Sequence, residues 1–154
     1  MQIYGKTGFA LLSAAVLFLF AAVPQTVSAQ NLQNVVITQI SATEWTAVDQ
    51  SMTVAFRPCE DNDQMLCGYL KTATPEAAKR FGLTQSPEKL RGMRIIEGLR
   101  HEGDSRFQGG RFVNMPSENA RSARVSMAHT PGSGLEVTAA RWIFSRSMNF
   151  TANK

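Results

Sequence analysis

A chain of 154 residues, 44% hydrophobic and 18% charged, has material for one core and excludes a two-domain architecture. Two cysteines are too few for a disulfide-rich scaffold, and no segment reaches the about 20 apolar residues needed to cross a bilayer. The net charge of +4 arises from 16 Lys and Arg against 12 Asp and Glu, with no basic run interleaved with aromatics, which argues against a nucleic-acid partner.

In chain order, the first feature is a leader. Met1 to Lys6 carries one positive charge, Phe9 to Val23 is an almost unbroken apolar run, and Val27-Ser28-Ala29 places small residues where a signal peptidase cuts. The pattern predicts an export signal over residues 1–29 and a single domain over 30–154, periplasmic or secreted, with no membrane span after cleavage. No cysteine stands at the cleavage point, so lipid anchoring is not expected. Beyond the leader, charge is uneven. Residues 30–90 hold 5 basic and 7 acidic groups, whereas residues 91–154 hold 10 basic and 5 acidic groups, nine of the ten being arginine. Such an imbalance invites an anionic partner, although dispersed arginines also serve simply as a solvated face.

Short bursts of period-two alternation predict strands at 35–41, 42–48, 52–57 and 66–72. Cys59 and Cys67, in an exported chain, are expected to pair and to close the loop from Glu60 to Met65. A redox role is disfavoured, because the spacing is not Cys-x-x-Cys and Glu60, Asp61 and Asp63 would discourage a thiolate. Thr74-Pro75-Glu76 reads as a helix start stopped by Gly82, and Ser86-Pro87-Glu88 as a single turn ending near Gly92. Further strands are predicted at 93–99, 106–113, 123–128 and 134–140, with a last one between Arg141 and Thr151. About eight short strands in one small domain need an answer to the unpaired sheet edge, and closure into an antiparallel barrel supplies it. The expected fold is therefore all-β, a small closed barrel with one or two short helices.

Val54-Ala55-Phe56-Arg57-Pro58-Cys59 followed by Leu66-Cys67-Gly68-Tyr69-Leu70 resembles the bacterial family known as domain of unknown function 2147. The likeness continues through Leu90-Arg91-Gly92-Met93-Arg94 to Gly98-Leu99, then Phe107-Gln108-Gly109-Gly110-Arg111-Phe112, and ends near Ser145 to Phe150. The chain departs from the family where Phe107 and Phe150 replace usual tryptophans and where Trp142-Ile143 stands in place of a common glycine. This resemblance implies an exported, lipocalin-like barrel that binds a small ligand, with no established reaction.

Met52, Val54, Phe56, Leu70, Ile95, Phe112, Val125, Met127, Val137, Trp142 and Phe144 are the expected inward-facing residues. These residue types are first of all those of an ordinary packed core, and the alternative is that they line an apolar cavity. Gly109-Gly110 marks a bulge, or else a backbone surface pressed against a ligand. Arg91, Arg94, Arg106 and Arg111 either gather at a rim to hold an anionic group or pair with Glu97, Glu102 and Asp104. The candidate site thus comprises these four arginines with Gly109, Gly110, Phe112 and Trp142, and its expected partner is a small amphipathic or anionic molecule held noncovalently. A solid-cored envelope protein acting through its outer surface is the alternative, and a hydrolase without a readable motif comes third.

Neither a cofactor nor a metal is expected. Glu60-Asp61-Asn62-Asp63 lacks the spacing of a calcium loop. His101 and His129 form no metal motif and are expected in exposed turns. No nucleophile elbow, phosphate-cradling loop or dinucleotide fingerprint is present.

Overall fold

The computed structural model describes residues 29–116 and 121–153, so the expected export signal, apart from Ala29, lies outside the described residues. Eight strands run up and down in chain order: β1 (Glu44–Ala47), β2 (Met52–Cys59), β3 (Asn62–Ala73), β4 (Arg94–Gly103), β5 (Arg106–Phe112), β6 (Arg124–Thr130), β7 (Gly134–Arg141) and β8 (Phe144–Ala152). Each pairs antiparallel with its sequence neighbours. β8 returns to β1 through Trp45 opposite Ala152, Thr46 opposite Thr151 and Ala47 opposite Phe150, which closes the barrel and leaves no strand edge open.

The up-and-down order gives the barrel two unlike ends. One end carries the β2–β3, β4–β5 and β6–β7 turns. The other carries the β1–β2 turn, the β3–β4 and β5–β6 connections and the β7–β8 turn. The β3–β4 connection contains two short helices, α2 (Pro75–Arg80) and α3 (Pro87–Leu90). Thr74 caps α2 by accepting the Ala77 backbone N–H at 3.2 Å, with Pro75 at the first helical position where no intrahelical donor is needed.

Two expectations are corrected at the β1 end. Residues 35–41 are not a strand but the second half of a helix, α1 (Ala29–Ser41). Their β-branched run has modest helix propensity, yet helical spacing carries Ile37 and Ile40 into the core, and tertiary burial outweighs local preference. The Ile40 carbonyl, which an ending helix leaves without an internal donor, accepts the Trp45 indole N–H at 3.0 Å. His101 and His129 lie within β4 and β6 rather than in exposed turns, because both strands run further than alternation alone implied. Both are half-buried, His101 packing edge-on to Phe107 and His129 edge-on to Trp45.

The Cys59–Cys67 disulfide is present, with the Cα atoms 5.1 Å apart. The expected loop from Glu60 to Met65 is not. β3 begins at Asn62, directly opposite Cys59, so only Glu60 and Asp61 turn the hairpin. The extra residues are absorbed as an irregularity between the Pro58–Leu66 and Cys59–Asn62 pairs.

Phe56, Leu66, Leu70, Leu99, Phe107 and Leu135 are fully buried and form the centre of the core, joined by Met52, Val54, Ile95, Val125, Met127 and Val137. Phe112 is only half-buried. Trp142 and Phe144 are not interior residues at all. Trp142 is 94% exposed and Phe144 77% exposed, because they lie at the β7–β8 turn, where β8 extends well past its last pair with β1, Ala47–Phe150.

Candidate functional site

The barrel is packed at the α1 end and hollow at the other. A cavity of about 710 Å³ opens beneath the β3–β4 and β5–β6 connections, within the range of small-molecule sites. Its wall is apolar: Met52 and Val54 from β2, Ile95 and Ile96 from β4, Val137 from β7 and Met148 from β8 face it, among others. The polar groups among its lining residues are Asp49, Arg80, Arg146, Ser147 and Asn149.

Strand register explains how Arg146 comes to line an apolar chamber. Along β7 and β8, successive same-face pairs are Leu135–Phe150, Val137–Met148, Ala139–Arg146 and Arg141–Phe144. Buried Phe150 and half-buried Met148 share a face with Arg146 at two-residue spacing, so its side chain leaves the wall on the cavity side at the mouth, opposite small Ala139. Arg80 is brought to the same mouth as the last residue of α2, and Phe81, capping that helix, adds an aromatic wall. Gly82 then turns the chain with φ of +70°, close enough to Pro116 that a Cβ would lie 2.9 Å from its Cγ. The two connections over the mouth therefore touch, and only glycine permits both the turn and the approach. Asn114, itself at φ of +56°, fixes the second connection by donating its side-chain amide to the Arg94 carbonyl at 3.0 Å.

Asp49 is the acidic member of the mouth. The Ser51 hydroxyl and then the Ser51 backbone N–H, at 3.0 Å, hold its carboxyl below the usual carboxylate range, and the charge of Arg80 acts in the same direction. With two guanidinium groups against one carboxylate, the mouth carries a positive excess above an apolar chamber.

Of the inward-facing residues expected from sequence, Met52, Val54, Ile95, Phe112 and Val137 line this cavity, but of the candidate-site residues Phe112 alone does so. Arg94 and Arg111 do meet, but around Glu97: Arg111 Nε and Nη2 each lie 2.7 Å from Glu97 Oε1, and Arg94 Nη2 lies 3.3 Å from Oε2. Arg111 alternates with cavity-facing Phe112, which puts this ion-pair cluster on the outer wall. Arg91 is exposed at the end of α3 and does not line the chamber, and Arg106 opens β5 at the opposite end of the barrel. Gly109 and Gly110 form a bulge, with a register shift between Phe107 and Gly110 and φ of +78° at Gly109. A Cβ on Gly110 would lie 2.7 Å from Leu99 Cδ2 and 3.1 Å from the Val125 carbonyl, so its bareness serves core packing. Trp142 stands outside the chamber, at the β7–β8 turn.

Sequence reasoning missed Arg80 and Arg146. For Arg146 a signal existed, since counting back by twos from Phe150 and Met148 assigns it to the buried register. For Arg80 there was none, because helix and strand patterns do not say over which opening a connection folds. No family model, no curated protein and no solved structure matches the chain.

Proposed function

We propose that this is an exported, periplasmic or secreted carrier that holds a small amphipathic anion noncovalently, its apolar portion in the chamber and its charged group against Arg80 and Arg146. The observation that carries this reading is the one-ended chamber itself, apolar in depth and positively charged at the opening. Guanidinium groups match carboxylate and phosphate geometry, and a partly enclosed site strengthens such contacts relative to open water. The disulfide accords with an oxidising compartment. The motif likeness to the domain of unknown function 2147 family, with the departures noted above, supports the same assignment.

Native mass spectrometry of the full chain expressed in its own host tests the proposal. A co-purifying mass that is lost on denaturation is expected. Ala139→Trp, which fills the chamber at its mouth, should abolish that mass, and Arg146→Gln should lower its occupancy about tenfold, as expected for one lost charge-assisted contact. Wild-type protein recovered without any bound mass, or a mass retained in full by Ala139→Trp, would refute it.

A further inference from the structure

We propose that the β7–β8 hairpin tip is a membrane-docking wedge that seats this end of the barrel on a bilayer surface rich in anionic lipid. This goes beyond the carrier reading and stands whether or not the chamber holds a ligand.

Trp142, Ile143 and Phe144 are consecutive, and they are 94%, 91% and 77% exposed. Trp142 and Ile143 form the two-residue turn itself, since Arg141 pairs with Phe144. Trp142 has φ of +58°. Tight hairpin turns call for a positive φ that glycine or asparagine adopts readily, and a bulky aromatic residue there is an outlier. Folding gains nothing from a tryptophan at this position, because its side chain is almost wholly exposed. Backbone strain kept at a position with no packing role points to function.

The shape of the tip selects its partner. Three side chains on a narrow convex turn fall far short of the about 800 Å² per partner that a stable protein interface buries. A fluid bilayer has no such requirement. Tryptophan favours the headgroup region, while isoleucine and phenylalanine favour the acyl boundary beneath it. Charge agrees. From Arg121 to Arg146 the chain carries four arginines against one acid, Glu136. Glu136 lies far down β7, opposite Ala128 and Asn149, whereas Arg124 pairs with Ala140, Arg146 with Ala139, and Arg141 adjoins the turn. Arginines within a few residues of an apolar tip are the arrangement that anionic headgroups attract. The tip also stands one same-face pair beyond the Ala139–Arg146 pair that lines the chamber, so docking would bring the mouth to the lipid surface.

Trp142 is its own reporter, because the only other tryptophan, Trp45, is buried and hydrogen-bonded. The full chain is mixed with phosphatidylcholine vesicles, with or without phosphatidylglycerol, in which the acyl chains are brominated. Emission should shift to the blue and be quenched only with the anionic vesicles, and high salt should reverse both changes. Ile143→Ser with Phe144→Ser should weaken vesicle affinity at least about tenfold. Arg124→Gln and Arg146→Gln should each weaken it about fivefold. Trp142→Gly should melt no lower than wild type while losing docking, which separates a functional residue from a structural one. Unchanged Trp142 emission with anionic vesicles overturns the proposal, as does equal quenching in neutral ones. A concentration-dependent blue shift without lipid, accompanied by a dimer in sedimentation, would overturn it too and assign the tip to contact between copies of the chain.

Discussion

His129 shows how one side chain can set the pH response of a fold. Its ring lies 5.8 Å from that of Trp45 at 76°, and its Nδ1 is buried with no hydrogen-bond partner among the described residues. Burial pushes its pKa below the ordinary 6.5, because the charged imidazolium is poorly solvated there. The unfolded chain therefore binds a proton more readily than the folded barrel does. Stability contributed by neutral His129 is complete above about pH 6.5 and falls as the pH drops from that value toward the depressed folded one. Asp49 and Glu88, held below their ordinary 3.8 and 4.5, lose their contributions only at more acid pH. Urea midpoints of the wild type should thus decline between about pH 7 and pH 5, whereas His129→Phe, which keeps the ring contact and cannot titrate, should show a shallower decline. Parallel profiles for the two proteins would place the titrating group elsewhere.

The β2–β3 hairpin carries the main prediction at the scale of elements. Its two-residue turn already specifies the pairing of Cys59 with Asn62, so the disulfide contributes chiefly by restricting the unfolded chain. The chain-entropy estimate for so short a loop is about 2.5 kcal/mol. Replacing both Cys59 and Cys67 with alanine should lower unfolding free energy by about that amount while leaving the β-sheet circular dichroism signal intact. A loss of the fold itself would mean that the link directs pairing. Elements were legible in proportion to how local their cause was. Alternation, proline, glycine and capping residues marked β2 to β8, α2 and α3 to within a few residues, since each signal lies inside its own segment. The sequence pattern at α1 misleads because Val35-Val36-Ile37 carries strand preference, whereas the helix is decided by burial of Ile37 and Ile40 against core residues distant in sequence. The chamber was less legible still: alternation assigns a face to Phe112 or Trp142 but not a height along the barrel, so one lines the mouth and the other stands clear of it.

Across the whole molecule the two ends answer to different demands. Leu99 is fully buried between strands in the packed half, where its side chain fills the space that Gly110 leaves bare. Met148 belongs to the same barrel but faces the chamber and is only half-buried. Truncating Leu99 to alanine opens a new void among atoms that cannot collapse into it, which costs about 3 kcal/mol. Truncating Met148 to alanine only enlarges a space that already exists. It forfeits part of a side chain's transfer energy and adds no fresh cavity, so the loss should stay near about 1 kcal/mol. Denaturant titrations of the two variants should therefore differ by about 2 kcal/mol despite their similar chemistry, with Leu99→Ala retaining bound ligand and Met148→Ala altering its affinity. Equal destabilisation would mean that the chamber closes around Met148 in solution and that the barrel is packed from end to end. The unequal result would locate the stability of the fold in the α1 half and leave the opposite half free to be shaped by what enters it.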